Sequence, residues 1–433
     1  MEAAARRGAV IEPEDTPVAA SPLRLVADPA PRDAAPVAAA APRERIVHVF
    51  RAPVGGLFRH VVDVARLQAA AGHDVGLFCD ASTGGARAEA ALAALAPHLT
   101  LGVTRLPMRR NPHPSDLSAL AALSRLVRRA APTVLHGHGS KGGLFARLVP
   151  VGPALRPVRA YTPHGGSFNY RPGSTLHRLY MQAERVLTAR TDVFLFESDF
   201  IAGRYRAYVG PTSRLVRIVH NGIATEEFAP ITRAPDALDL VYIGELREAK
   251  GVPVLFEALA RLRREHGRRL TLLVVGSGPD ENTLRTRVAA LGLAEDVRFE
   301  PPQPIRAALS RARVMVVPSL AESLPYVILE AAAAAQPMVS TDVGGIPEIF
   351  GPAAPALVPP NDAAALAGAI LRKVDQDPEA RRDEAAGLSA FIRCRFSMDQ
   401  MAEDGLAGYA AARRRMPGAE TGRVPPGPDS LDF

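Results

Sequence analysis

The chain has 433 residues, 47% hydrophobic and 22% charged, enough for two ordinary globular cores at about 100–200 residues each. Its two cysteines, Cys79 and Cys394, exclude a disulfide framework and a thiolate zinc site, and no run approaches the roughly 18 apolar residues of a membrane-spanning helix. The formal charge of +7 belongs to the first half: residues 44–230 carry 23 Arg and Lys against 12 Asp and Glu, whereas 231–433 carry 24 against 27. That half suits an anionic membrane surface or a phosphorylated substrate. Nucleic acid is not expected, because Trp is absent and no basic stretch alternates with aromatic residues that stack on bases. With no apolar stretch near the N-terminus to serve as a signal, the expected location is cytoplasmic.

In chain order, residues 1–43 form an Ala/Pro-rich segment unable to bury enough surface to fold, read as a disordered leader. Short β-type runs follow at Ile46–Phe50, Val75–Phe78, Leu99–Val103, Thr133–Leu135, Val158–Tyr161, Val193–Phe196 and Leu215–Val219. A second series comprises Leu238–Ile243, Leu270–Val275, Val297–Phe299, Val314–Val317 and Met338–Ser340. Amphipathic stretches such as Leu57–Ala71, Leu117–Ala130, Val252–Glu265 and Leu324–Ala335 lie between them. Strands alternating with crossover helices predict an α/β fold of two doubly wound, Rossmann-like domains. Their predicted bounds are 44–228 and 229–396, joined through the polar stretch Gly222–Ala237. Ligands of such sheets bind beyond the carboxyl ends of the strands, so two facing domains imply a cleft.

The most informative segment is Pro318–Ala335, a strand end leading into a helix with Ser323 as predicted N-cap and Pro325 in the first turn. Free amides at a helix start, including those of Ser323 and Leu324, suit a phosphate. Glu322 and Glu330 bracket that start, eight positions apart, about 12 Å of axial rise. A nucleotide-diphospho-sugar matches this layout, with Glu322 at the sugar, the helix tip at the diphosphate and Glu330 at the ribose hydroxyls. In Tyr242–Gly251, Arg247 and Lys250 are cationic donors for the diphosphate, and Gly244, Gly276 and Gly278 end strands in turns that let backbone approach a ligand. Gly276–Gly278 lacks the dinucleotide fingerprint, so NAD is not expected. In the first half, Gly55 and Gly56 form a loop for a phosphate or the acceptor. His164, past another strand end, faces the transferred sugar or acceptor, while His136 and His138 are supporting residues. No carboxylate or cysteine joins these histidines at ligand spacing, and the Asp375–Asp377 pair sits at a polar helix end. The expected route therefore uses neither metal nor cofactor.

Taken together, PVGGLFRHVVDVARLQAAAGHDV, HGHGSKGG, YTPHG, VHNGI, GELREAKG, VVGSGP and ESLPYVILEAAAAAQPMVSTDVGGIPEI resemble glycosyltransferase family 4, the retaining transferases of the GT-B fold. The resemblance runs from about Arg45 to Tyr409. It implies a donor held mainly by the second domain, an acceptor held by the first, paired glutamates at Glu322 and Glu330, and an active-site histidine at His164. It further implies a final helix, 397–412, crossing back to the first domain with Met401 and Tyr409 as packing residues; beyond it, the composition of 413–433 reads as a disordered tail. One departure stands out: the family's arginine after the loop glycine is Glu245 here, and Arg247 comes two positions later.

The expected reaction is transfer of a hexosyl unit from a UDP- or GDP-sugar to a hydroxyl of a glycan or lipid-linked glycan, in bacterial exopolysaccharide or surface-glycan assembly. A nucleotide-sugar epimerase and a non-catalytic nucleotide-sugar sensor are the alternatives. Peripheral contact with anionic lipid is a further expectation, carried by Leu117–Ala130 with Arg125, Arg128 and Arg129, an ordinary crossover helix being the other reading.

Overall fold

The computed structural model describes residues 42–416. The expected leader lies almost wholly outside them, as does the tail beyond Met416; Arg413 and Arg414, expected in that tail, close the last helix instead. Seven parallel strands form the first sheet: β1 Arg45–Phe50, β2 Asp74–Asp80, β3 Gly102–Leu106, β4 Val134–His138, β5 Val158–Thr162, β6 Val193–Phe196 and β7 Leu215–Ile218. Five form the second: β8 Leu238–Ile243, β9 Leu272–Val275, β10 Val297–Glu300, β11 Ala312–Val317 and β12 Met338–Ser340. Each is covered by helices on both faces, which is why strands such as Arg45–Phe50 and Ala312–Val317 read as apolar runs without alternation.

The strand orders are β3-β2-β1-β4-β5-β6-β7 and β10-β9-β8-β11-β12. Both reverse direction of growth beside their first strand, between β1 and β4 and between β8 and β11. Those two reversals are the switch points where doubly wound sheets open a ligand crevice. The helix Met398–Arg414, capped by Ser397, crosses back to pack on the helix Gly55–Ala70 and on β5, β6 and β7. Met401 and Tyr409 are buried there, and the expected GT-B arrangement is present in full.

The strand carrying His136 is longer than expected. It continues through Gly137 and His138 because both pair on each side, with Val49 and Phe50 of β1 and with Tyr161 and Thr162 of β5; at Gly137 the next helix, Gly139–Leu148, leaves no room for a side chain, since a Cβ there would lie 2.6 Å from the Gly143 backbone. Third-strand pairing begins at Gly102, not Leu99. Leu99 is buried just after the short turn Ala96–His98, and Gly102, at φ +72°, turns the chain into the sheet. None of the described helices is long and apolar enough to cross a membrane.

Candidate active site at the facing switch points

Two loops build the second-sheet wall. The loop after β8, Gly244–Gly251, folds under the loop after β11, Pro318–Pro325, and the amides of Leu320 and Ala321 donate to the Ala249 carbonyl at 2.9 and 3.3 Å. Gly251 is obligatory in this contact: its φ is +64°, and a Cβ would lie 1.8 Å from the Pro318 carbonyl oxygen. Gly276 and Gly278 serve a similar end, since Cβ atoms there would meet the carbonyl oxygens of Gly244 and Leu246 at 1.9 and 2.2 Å. These glycines pack loop against loop; their close approach is to protein backbone.

Within this wall the Lys250 ammonium lies 2.6 Å from Oε1 of Glu322, and the Ser319 hydroxyl donates to the same oxygen at 2.8 Å. Glu322 is 9% exposed, so this carboxylate is held in one place by a cation and a hydroxyl. Arg247 takes a different course: it pairs with Glu245 at 3.2 Å, both side chains about half exposed, outside the Lys250–Glu322 contact.

The helix after these residues is shorter than the sequence suggests. It runs Tyr326–Ala333, with extended Pro325 at the N-cap position, so the expected N-cap role of Ser323 is wrong. Ser323 sits in a turn before the helix, and its hydroxyl donates to buried Glu197 at the end of β6. Glu322 is therefore off the helix. Of the eight positions from Glu322 to Glu330 only the last four, from Tyr326 on, are helical, about 6 Å of the expected 12 Å of rise. The Ser323 and Leu324 amides nonetheless donate to no acceptor among the described residues, and they stand just ahead of the positive helix end.

The first-sheet wall faces this tip. Gly55, at φ +66°, opens the helix Gly55–Ala70, and a Cβ on Gly56 would come 3.2 Å from the Tyr326 ring. Arg59, one turn on, reaches across to Glu330 and Glu227 and lies over the Tyr326 ring, 4.6 Å from its centroid. Burial works against the charge of Arg59, but the two carboxylates outweigh it and hold the guanidinium firmly protonated. Burial likewise pushes the Glu330 carboxyl up to about 7, against the pull of Arg59.

His164, Gly165 and Gly166 all have positive φ, at 52°, 71° and 43°, a strained turn at the end of β5. A Cβ on Gly165 would lie 3.1 Å from that of Ser323, so this turn meets the opposite wall. Behind it is a buried histidine network. His164 Nε2 meets His138 Nδ1 at 3.1 Å, and His138 Nε2 meets His48 Nδ1 at 2.9 Å. His48 Nε2 ends the chain on the Gln68 side-chain oxygen at 2.8 Å. His60 Nδ1 meets the Asn221 side-chain oxygen at 3.0 Å, and His136 lies between Tyr409 and Thr162 at 2.7 and 2.9 Å. Burial lowers His48 and His60 to about 4 and holds His136, His138 and His164 well below the usual value, so all five imidazoles are neutral at pH 7.

The structure thus brings Glu322, Lys250, Ser323, Leu324 and Glu330 to one wall and Gly55, Gly56 and His164 to the other, with Arg247 set apart. Of the Asp375–Asp377 pair, Asp375 bonds exposed Arg268 and Asp377 caps the helix Pro378–Arg395, away from these residues. Arg59, Glu197, His48 and His60 did not emerge from sequence reasoning. The one available signal was Arg59–His60 directly after the Gly55–Gly56 turn.

Two family models match the chain: Glycosyltransferase Family 4 over residues 54–227 and Glycosyl transferases group 1 over residues 237–376. The chain is 31% identical over 269 residues to the putative glycosyltransferase EpsD of Bacillus subtilis, covering 57% of this chain and 68% of that protein. It is 33% identical over 275 residues to the putative colanic acid biosynthesis glycosyltransferase WcaL of Escherichia coli, covering 60% and 66%. Among solved structures, Anabaena HepE in complex with UDP-glucose superposes with a TM-score of 0.70 at 16% identity, over 85% of this chain and all of that one.

Proposed function

Since this chain belongs to glycosyltransferase family 4, we propose that it moves a hexosyl unit, with retention, from a UDP- or GDP-sugar to a hydroxyl of a glycan or lipid-linked glycan. The observation that carries this reading is the facing pair of walls. On one, Lys250 and two unpaired amides surround the position a diphosphate needs; on the other, His164 stands at a strained turn. In the proposed reaction the Lys250 ammonium turns from Glu322 to the departing diphosphate, and the Ser323 and Leu324 amides share the charge that grows there. Glu322 and His164 hold the sugar, and Glu330 takes the ribose hydroxyls. Glu245 replaces the family's usual arginine, and Arg247, tied to it at the surface, lends at most long-range charge. Transfer by this set of residues needs no metal.

The UDP-glucose carried by the HepE structure supports a uridine donor, and the colanic acid pathway named for WcaL supports a surface or secreted glycan as the acceptor class. Domain bounds of 44–228 and 229–396 accompany this reading, with the enzyme in the cytoplasm and in contact with the membrane. The helix Thr175–Thr188 is a better lipid-facing surface than Ser115–Ala130. Leu176, Leu179 and Val186 are 45%, 66% and 72% exposed along one helical stripe, whereas Ser115–Ala130 exposes Leu117 alone among its large apolar residues.

The test incubates the purified chain with UDP- and GDP-hexoses, each with and without oligosaccharide or polyprenyl-diphosphate-saccharide acceptors. Acceptor-dependent nucleotide release with retained anomeric configuration is the expected result. Conversion of a lone donor to its epimer, or binding without turnover on any acceptor, would overturn the proposal.

A further inference from the structure

Three histidines, His60 and His138 buried and His164 half-buried, offer ring nitrogens that converge. One nitrogen each from His60, His138 and His164 all lie within 4.8 Å of one another, and His138 Nδ1 and His164 Nε2 are only 3.1 Å apart. A tetrahedral zinc ion with bonds of about 2.0–2.1 Å sets neighbouring imidazole nitrogens roughly 3.3 Å apart, so the His138–His164 pair already stands at ligand spacing and the His60 nitrogen within reach of it.

The outer contacts point the same way. Asn221 donates its amide N–H to the Leu324 carbonyl at 2.8 Å, which leaves its oxygen to accept from His60 Nδ1–H and leaves Nε2 of His60 with a free lone pair. The Gln68 oxygen accepts from His48 Nε2–H, His48 Nδ1 then accepts from His138 Nε2–H, and His138 Nδ1 keeps its lone pair. Two of the three imidazoles are thus already in the tautomer a metal requires, each with its N–H on an oriented partner. His164 needs only to move its proton from Nε2 to Nδ1.

We infer that His60, His138 and His164 form a binding site for a zinc-class divalent ion, and that its occupation locks His164 Nε2 in the buried network, so that it cannot turn to the cleft. Three nitrogen ligands without a carboxylate select zinc, cobalt or nickel over magnesium and calcium. The ion acts as an inhibitor of transfer and takes no part in it. That consequence rests on the proposed place of His164 in the reaction, while the binding itself does not.

The test is titration of the tag-free full chain with Zn2+ by calorimetry, and with Co2+ by visible absorption, both without donor or acceptor. One ion per chain is expected, with the intense visible bands of tetrahedral cobalt. His60→Ala and His164→Ala should each abolish both signals, and Asn221→Ala should weaken binding about 10- to 100-fold through loss of the outer hydrogen bond. Absence of binding in the wild-type chain, or unchanged binding in His60→Ala and His164→Ala, overturns the assignment. Because no sugar is present, failure of the transferase reading would leave a positive result standing. Inhibition by Zn2+ that disappears in His60→Ala would tie the site to transfer, and zinc-bound enzyme with full activity would refute the inhibitory role.

Discussion

Replacing Glu330 by Gln separates the proposed ribose contact from the structural work this residue does. In the free protein Oε1 of Glu330 carries the Arg59 guanidinium, while Oε2 makes no hydrogen bond to a described residue and is open to a ribose hydroxyl. Losing one charge-assisted hydrogen bond costs about 1.5–3 kcal/mol, which corresponds to roughly 10- to 150-fold weaker nucleotide binding. The carboxyl, pushed up to about 7 by burial, is only half ionised at neutral pH, so the full effect belongs to pH 8. Wild-type affinity should therefore fall as pH drops from 8 to 6, while Glu330→Gln should show a flat profile at the weaker level. Calorimetric titration with UDP and GDP at both pH values measures this, and a melting curve of each variant controls for loss of the Arg59 contact. Glu330→Gln binding nucleotide within about threefold of wild type at pH 8 would refute the ribose assignment.

Other consequences follow from the same contacts. Lys250→Met leaves the buried Glu322 carboxylate without its cation, at a cost of about 3 kcal/mol, the lower end for a broken buried pair because Lys250 is a fifth exposed. Adding Glu322→Gln should restore the melting temperature but not turnover. Arg147→Met strands Glu184, whose 2.8 Å pair with Arg147 is fully buried, and should cost about 3–5 kcal/mol in denaturant unfolding with no direct effect on donor affinity. Gly142→Ala would drive a Cβ to 2.2 Å from the Val49 carbonyl oxygen of β1, rigid backbone that cannot yield cheaply, and should destabilise by about 1–3 kcal/mol. Native Glu330 holds its proton to about 7 against 4.5 in the unfolded chain. Wild-type stability should accordingly fall as pH rises through that window, and Glu330→Gln should remove this component of the slope.

Much of the fold was legible because parallel strands buried on both faces announce themselves as compact apolar runs: all twelve lie within a few residues of where the sequence suggests. Errors arose where a glycine or proline set a boundary by backbone geometry. Gly102 delays the third strand, and Pro325 holds the chain extended and starts its helix one residue later. The wall around Glu322 was readable because its parts lie in two short loops. Lys250 stands at a loop end and Glu322 just past a strand, each with a type and position that imply a charged site.

Arg59 was not readable in that way. Its meaning comes from Glu330, 271 residues away, and from Glu227, neither of which has a local relation to it. The histidine network is similar. His48 and His136 are a neighbouring pair in the β1–β4 register, and only the strand order reveals that His138 and His164 stand next to them. The expected N-cap failed for a further reason: Ser323 satisfies its hydroxyl across the cleft on Glu197 and not on its own helix.

The most direct measurement is a crystal structure of the chain soaked with UDP or GDP. The diphosphate is expected within hydrogen-bonding distance of the Ser323 and Leu324 amides, with the Lys250 ammonium turned from Glu322 onto a phosphate oxygen and the ribose diol on Glu330. Nucleotide seated elsewhere, with the 2.6 Å Lys250–Glu322 pair intact and both amides uncovered, would contradict this placement.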